Sequence, residues 1–525
     1  MIRRTRLVAT SLLAGVALLL GACGGGDDDS SAAPAPAGAT GEPVAGGSAR
    51  VLQANDPRSL DPVTLVNAWQ LNAFVGNALY GTLMTNDVNT GEIQYQMAES
   101  FTTEDGGSTF TVKLRPGLQF SDGTPLNAEA VKFNWERHKD PANGSGYLPE
   151  ASLIASMEAV DDTTLKLTMT EPVPNFPSAL LTTSMNWIAS PAALEKGAEA
   201  FNANPVGAGP YTLKSWTRQD KIELVRNPKY WDAPRPYLDE IVVRTSNDTG
   251  QRYNSLVSGG ADVIIETNSD NIAKAQEAGY PTDVVPLNGG LFLAMNMDRA
   301  PFDDLRARQA VAAALDLESL NLTVYNGTAT IAKTLFNEAS PFYSDKPLWK
   351  PDKELAQRLF DELAAEGKPV NFKFTSFPSP EMRDIAEAVQ TQLSAFKNVK
   401  VEIEVVEFAK SYELQANRGF DMLVWSASFI DPDPRMAAAF RSGSSGNFPG
   451  IADEELDKAL DAGRTALTLE ERKAAYDTVQ QRLIDLVPGI YLVRANPGVM
   501  AGKNVGGLVQ YGLGSLLPEQ LWIQK

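Results

Sequence analysis

The chain holds one histidine, His138, and one cysteine, Cys23, among 525 residues, and this scarcity bounds its chemistry. A single histidine excludes a His-clustered metal site, and a single cysteine excludes both a disulfide framework and a Cys-rich zinc site. A Ser-His-Asp triad has only His138 to draw on, and that residue sits in the charged stretch Lys132-Phe133-Asn134-Trp135-Glu136-Arg137-His138-Lys139, which reads as a solvated helix face rather than the seat of a base. Paired carboxylates such as Asp431 and Asp433 have the spacing for acid–base work, but 65 acidic residues make close pairs commonplace. Phosphate cradles are missing too. Gly502-Lys503 is followed by Asn504, not Ser or Thr, and Gly207 and Gly209 precede a strand pattern at Tyr211-Thr212-Leu213 instead of opening a Rossmann helix. They read as turn residues, and no cofactor is called for.

Composition narrows the classes further. With 43% hydrophobic and 21% charged residues the chain is an ordinary globular one, long enough for two to four units at roughly 150 residues each. Its 46 Lys+Arg against 65 Asp+Glu give a net charge of −19, which excludes a phosphate-backbone partner, since such affinity comes from cations neutralising phosphates.

The cysteine has a context. Arg3, Arg4 and Arg6 precede an apolar run from Leu7 to Leu20 that ends in Gly21-Ala22-Cys23. The run has the length of a signal-peptide core and is too short for a comfortable bilayer span. Leu20-Gly21-Ala22-Cys23 resembles a bacterial lipobox, which implies cleavage before Cys23, diacylation of its thiol and acylation of the new amino group. Residues 23–47 contain almost nothing to bury and are expected to form a disordered tether with a reach of about 25–30 Å. Cleavage removes three arginines and no acid, taking 46 basic residues to 43 against 65 acidic, a balance of −22. A body so charged is repelled by anionic headgroups, so an acyl anchor to the outer face of the cell membrane is not redundant.

From Ser48 onward, strand and helix patterns alternate, the mark of an α/β protein. Phe110, Val112 and Leu114 alternate with polar residues, as do Leu165, Leu167 and Met169, and Val399, Val401, Ile403 and Val405 give a clean period of two. Met382, Ile385, Val389, Leu393 and Phe396 fall at helical spacing. A second helix is expected to start at a Thr468…Glu471 capping box, to carry Tyr476, Val479, Leu483 and Leu486, and to stop at Pro488 before a strand Gly489–Val493. No repeat of 20–50 residues is apparent.

Several ordered blocks resemble one family. They are Ser59-Leu60-Asp61-Pro62, Met97-Ala98-Glu99-Ser100-Phe101, the run from Thr109 to Gly117 with Phe120-Ser121-Asp122-Gly123-Thr124-Pro125-Leu126, Asn204 to Tyr211, Arg226-Asn227-Pro228-Lys229-Tyr230-Trp231, Gly259-Gly260-Ala261-Asp262-Val263, and Pro301 to Ala310. Together they resemble the cluster-C (family 5) extracytoplasmic solute-binding proteins of ABC importers, over nearly the whole mature chain. The resemblance implies a two-lobe, type II periplasmic-binding-protein-like fold with an extra subdomain in the first lobe and two hinge strands. The expected layout is a signal peptide at 1–22, a tether at 23–47, lobe I at 48–72 and 205–287 with the extra subdomain at 73–204, lobe II at 288–494, and a return to lobe I at 495–525. Crossings are placed near Leu287-Asn288-Gly289-Gly290 and Arg494-Ala495-Asn496-Pro497. The implied role is capture of an extracellular solute by hinge closure and its delivery, by a monomeric lipoprotein, to permease and ATPase subunits.

The pocket departs from the family pattern. Phe420-Asp421-Met422-Leu423-Val424-Trp425 reads as a buried strand that delivers Ser426-Ala427-Ser428-Phe429-Ile430-Asp431-Pro432-Asp433 into a loop at its carboxyl end, where α/β sheets place ligands. Peptide-binding relatives resemble Trp-x-Ala/Gly-Asp-x-x-Asp-Pro here, and the first Asp pairs with the peptide's ammonium. Trp425, Ala427, Asp431 and Pro432 match, but Ser428 stands in the place of that acid. No basic counterpart for a peptide carboxylate is evident in Thr375–Pro380, and Arg383 belongs to the following helix. Two readings follow. Asp431 or Asp433 takes over the ammonium, with backbone hydrogen bonds carrying much of the affinity; or Trp425, Phe429 and Ser428 form an aromatic, hydroxyl-bearing surface for a neutral or sugar-like solute. The competing class is a secreted acidic hydrolase.

Overall fold

The computed structural model describes residues 39, 41–407, 410, 413–414 and 417–524; Cys23 and the apolar leader lie outside the described residues. Three sheets organise the body. The first is seven-stranded and mixed, in the order Thr282–Val284, Gly498–Ala501, Val263–Glu266, Ser48–Gln53, Glu240–Thr245, Lys221–Arg226, Tyr211–Thr217. The second has four antiparallel strands, Ala98–Thr102, Thr109–Leu114, Thr164–Met169 and Ile154–Ala159. The third is five-stranded, in the order Val399–Val405, Val370–Ser376, Met422–Phe429, Asn288–Met295, Gly489–Val493.

Local sequence accounts for these elements. In Thr109–Leu114 and Thr164–Met169 every second residue is buried, so one face packs while the other meets water. The helix Pro380–Leu393 opens on Ser379, whose side chain accepts from Met382 N, with Pro380 in the first turn where its missing N–H costs nothing. Thr468 and Glu471 form the full capping box ahead of Leu469–Leu486, which ends at Val487 in the left-handed region before Pro488. Val399–Val405 is an edge strand, and Lys400, Glu402 and Glu404 on its outer face discourage pairing with a second chain.

The cores follow the sheets. One continuous core joins the seven- and four-stranded sheets through residues such as Val51, Ile241, Phe110, Leu165, Trp135 and Phe176. The five-stranded sheet carries a core on each face, one with Leu293, Met422, Val424 and Leu492, the other with Phe292, Leu423, Ala427, Phe429 and Tyr491. Between the two bodies lies a smaller apolar cluster in which Ala68, Val285, Leu287 and Leu513 meet Trp69, Leu71, Val88, Ile430 and Ala495.

The chain passes between the seven- and five-stranded sheets twice, at 285–287 and 494–497. At the first passage Gly289 and Gly290 have φ of +65° and +147°; a Cβ on them would sit 1.9 Å from Ala427 O and 2.1 Å from Val493 O, so only glycine fits. At the second, Arg494 is buried and donates to the carbonyls of Gly289, Thr334, Leu335 and Phe336 and to Thr334 Oγ1 at 3.0–3.4 Å. Burial without a bonded carboxylate pulls its guanidinium down to about 10.

Two expectations are corrected here. The tether was expected to run to residue 47, but Ala39 N donates to Val505 O, Gly46 N to Tyr237 O and Gly47 N to Asp239 Oδ2. Backbone bonding thus lays the described end of that segment on the body. His138, expected on a solvated face, is 2% exposed; its helix Ala128–Lys139 turns Trp135 and His138 inward together.

The His138 environment favours the neutral ring. Ser145 Oγ accepts from Tyr147 N and shares a 2.7 Å hydrogen bond with His138 Nδ1. Burial, reinforced by Arg137, pushes the histidine from its usual 6.5 down to about 4. The folded protein therefore binds fewer protons than the unfolded chain between these values. The resulting stability, roughly 3 kcal/mol at most, is present above pH 6.5 and is lost as pH falls toward 4. As the chain has one histidine, its imidazole resonance can be followed by NMR without assignment. A midpoint near 4 is expected, and titration between 6 and 7 would show that the ring is not buried.

Candidate functional site

The strand Met422–Phe429 pairs residue for residue with Asn288–Met295, Asn288 opposite Phe429 and Gly289 opposite Ser428. The expected loop from Ser426 is thus strand as far as Phe429, because the backbone hydrogen bonds of the first crossing extend the ladder to its end. The loop begins at Ile430, whose carbonyl accepts from Asn288 Nδ2 at 2.8 Å. The carboxyl end of the strand is therefore fastened to the crossing between sheets, the position at which α/β folds hold ligands.

Strand alternation then sorts the side chains. Trp425, Ala427 and Phe429 share the face that packs with Leu423, and Ser426 and Ser428 share the opposite face with Met422 and Val424. Trp425 is half-buried and stacks on Phe448 with centroids 4.1 Å apart. Phe429 is 1% exposed and meets Phe336 edge-on at 5.8 Å, which makes it core. The expected surface uniting Trp425, Phe429 and Ser428 is not formed, since the period of two separates aromatic from hydroxyl. What the strand does present is a hydroxyl pair, with Ser426 Oγ and Ser428 Oγ 3.1 Å apart, Ser426 exposed and Ser428 at its buried end.

Neither aspartate in the loop is free. Asp431 receives both arms of Arg472, Nη1 to Oδ2 at 2.9 Å and Nη2 to Oδ1 at 2.6 Å, and its Oδ1 also accepts from Asp433 N. Arg472 comes from the capped helix Leu469–Leu486 and lies over the rings of Phe342 and Tyr476. Asp433 is 4% exposed and accepts from Arg464 Nε at 3.0 Å. Burial pushes its carboxyl up to about 6 against the pull of Arg464. Each carboxylate already has a cation, so the pair is not arranged as facing acid and base; the buried Asp433 Oδ2 accepts no hydrogen bond, and an incoming ammonium would have to share Asp433 with Arg464.

Beyond the loop, three residues that sequence reasoning missed, Tyr147, Glu150 and Glu171, face the strand's body from the four-stranded side and meet its Arg435 and Arg464. Arg435 lies 5.7 Å over the Tyr147 ring, Arg464 Nη1 donates to Glu171 Oε1 at 2.9 Å, and Glu150 is a buried carboxylate beside both cations. No local signal marks these pairs, since Glu171 and Arg464 are 293 residues apart in sequence. Arg383, in contrast, is exposed on its helix. Among the described residues no group of three or more His, Cys, Asp or Glu is placed to hold a metal ion, and no helix is long and apolar enough to cross a membrane. A polar groove of about 510 Å³ at the outer edge of the five-stranded sheet offers no better site. Two of its three cations are neutralised within it, Arg299 by Asp421 at 3.1 Å and Lys373 by Glu404 at 3.4 Å.

Removing one member of the Asp431–Arg472 fork strands the other. Arg472 is 9% exposed against 23% for Asp431, so Asp431→Ala leaves a buried cation and is expected to cost about 3 kcal/mol in urea unfolding. A loss below about 1 kcal/mol would mean that the pair behaves as a surface bridge.

The family model described as bacterial extracellular solute-binding proteins, family 5, middle region, matches residues 92–447. The glutathione-binding protein GsiB of Escherichia coli (strain K12) is 30% identical over 407 residues, covering 73% of this chain and 78% of that protein. Among solved structures, the binding protein AgaA from A. tumefacien R10 in complex with agropinic acid has a TM-score of 0.80 at 26% identity, covering 91% of this chain and 99% of its own. The periplasmic binding protein DppA from Helicobacter pylori in complex with the peptide STSA has a TM-score of 0.78 at 23% identity, covering 92% and 99%. The fold is that of the two-lobe periplasmic binding proteins. By the extent of the family match and the identity to GsiB, the chain belongs to the family 5 bacterial extracellular solute-binding proteins, the extracytoplasmic subunits of ABC importers that work with a permease and an ATPase.

Proposed function

We propose that this chain captures a peptide or peptide-like solute between its lobes at the carboxyl end of Met422–Phe429, as a monomer anchored to the outer face of the cell membrane through acylated Cys23. In this reading residues 1–22 are removed, lobe I comprises 48–72, 73–204 with the extra subdomain, 205–287 and 495–525, and lobe II comprises 288–494. Solute contacts fall to the Ser426–Ser428 edge and the half-buried Trp425, with Ala427, Phe429, Asp431 and Asp433 as the framework that positions them. The observation that carries the reading is the hydroxyl edge beside the crossing, in a family whose relatives include a glutathione-binding and a peptide-binding protein.

Ser428 refines the kind of peptide. Burying an ammonium without a counter-charge is expensive, and Asp431 and Asp433 are held by Arg472 and Arg464. The solute's α-amine is therefore left at the solvent edge, or the solute has none, and its backbone amides meet the serine hydroxyls. Calorimetry with free and amino-acetylated forms of the same peptides tests this. Blocking the amine is expected to change Kd less than threefold. A loss of tenfold or more, about 1.4 kcal/mol, would point to a carboxylate anchor, and binding of no peptide would turn the search to neutral, sugar-like solutes.

Anchoring has its own test. Cys23→Ala is expected to move the protein from the membrane fraction to the medium or periplasm, and unchanged membrane retention would reject the acyl anchor.

A further inference from the structure

The two bodies touch at a charged lip, and one residue there serves both. Arg464 lies on the helix Glu454–Thr465, which packs through Leu456, Ala459 and Leu460 into the core that holds Phe429. Its Nε reaches Asp433 Oδ1 at 3.0 Å, in the loop that leaves Met422–Phe429. Its Nη1 reaches Glu171 Oε1 at 2.9 Å, two residues past the strand Thr164–Met169 of the four-stranded sheet. We propose that Arg464 and Glu171 form a closure latch, a cation fixed on one lobe that engages a carboxylate on the other and favours the closed form independently of cargo. The proposal rests on the reading of the protein as two lobes that open and close.

The burial of the three partners assigns their parts. The Asp433 side chain is 2% exposed, Arg464 13% and Glu171 47%. Asp433 is also held in place by its own N–H, which donates to Asp431. When the lobes part, Arg464 stays with Asp433, where separation would strand a buried charge, and the half-exposed Glu171 is released to water at little cost. The bond that breaks on opening is thus the weak one, as a reversible catch requires.

Neighbouring contacts close across the same lip. Arg435 sits over Tyr147, and Leu467 Cδ2 lies within 3.1 Å of where a Cβ on Gly106 would stand. Glu150 is 4% exposed on the four-stranded side, and burial raises its carboxyl against the opposing pull of Arg435 and, less, of Arg464 from the opposite body. The segment leading into its helix, Leu148–Ser152, is braced by the His138–Ser145 and Tyr147–Asn67 hydrogen bonds. Another contact between the bodies, Ser269 Oγ to Thr328 Oγ1 at 3.2 Å, is neutral. Charge therefore gives this lip a salt-sensitive role that the hydroxyl contact lacks.

Single-molecule energy transfer on solute-free, full-length protein tests the latch, with dyes on Val160→Cys and Leu322→Cys, both exposed and on opposite bodies, in a Cys23→Ser background. Glu171→Gln, at an exposed carboxylate that leaves Asp433 paired, is expected to raise the open population roughly two- to fivefold at about 20 mM salt. The difference from wild type is expected to vanish near 500 mM salt, where charges are screened. Glu158→Gln, an exposed acid on the same sheet, removes the same charge and is expected to change nothing. Two populations left unmoved by Glu171→Gln at low salt, or moved equally by Glu158→Gln, would overturn the latch alone. A single population that neither salt nor variant moves would overturn the opening and closing on which it rests.

Discussion

Arg494 donates five hydrogen bonds, all of them to the backbone or hydroxyl of Gly289 and of the segment Thr334–Phe336. A buried cation served only by neutral acceptors is unusual, because a carboxylate partner would ordinarily offset its desolvation. Here the guanidinium spends its donors on tying the second passage of the chain to the first. Gly289 and Gly290 leave no room for a Cβ against Ala427 and Val493, so the strand starting at Asn288 is clamped between Met422–Phe429 and Gly489–Val493. The two crossings thus form one joint. Any rotation of one body against the other must take place around it, and the carboxyl end of Met422–Phe429 is part of it.

That coupling explains the disposition of charge beyond the strand. Asp431 and Asp433 are paired with Arg472 and Arg464, both on helices packed against the same sheet. The loop is thereby rigid where it leaves the joint, and the polarity left at the strand's end is that of Ser426 and Ser428. A neutral edge beside a rigid loop discriminates by hydrogen-bond geometry rather than by charge. A hydroxyl donates and accepts, so it can meet either face of an amide.

The sequence was most readable where one element buries one face. Alternation marked Thr109–Leu114 and Thr164–Met169, and Thr468 with Glu471 marked a helix start that the structure reproduces as a reciprocal cap. It was least readable where burial depends on partners far along the chain. His138 sits among charged neighbours yet turns inward, because Tyr147 and Ser145 fold over it. The end of Met422–Phe429 read as loop because nothing in Ser426-Ala427-Ser428 announces that Asn288 and Gly289 will pair with it. The absence of an acid at Ser428 was legible from residue types alone. That Asp433 and Asp431 each pair with a cation was not, since Arg464 and Arg472 lie 31 and 41 residues further on.

A contact between half-exposed charges has to be weak for a binding protein to work. Exposed pairs contribute about 0.2–1 kcal/mol, which shifts an open–closed equilibrium by less than about tenfold, whereas carrying a population from 1:99 to 99:1 takes roughly 5.5 kcal/mol of differential binding. If the lip alone supplied that much, the empty protein would close and present itself to the permease unloaded. With Glu171 47% exposed the lip supplies only a small part, and the remainder must come from a solute that touches both lobes. The apolar cluster of Ala68, Val285, Leu287 and Leu513, against which Ile430 packs, lies beside the joint and not at the rim, so it changes least as the lobes swing. A solute that bridges the lobes is thus the term that decides closure, and the proposed latch at the charged lip sets only how far the empty protein stands from it.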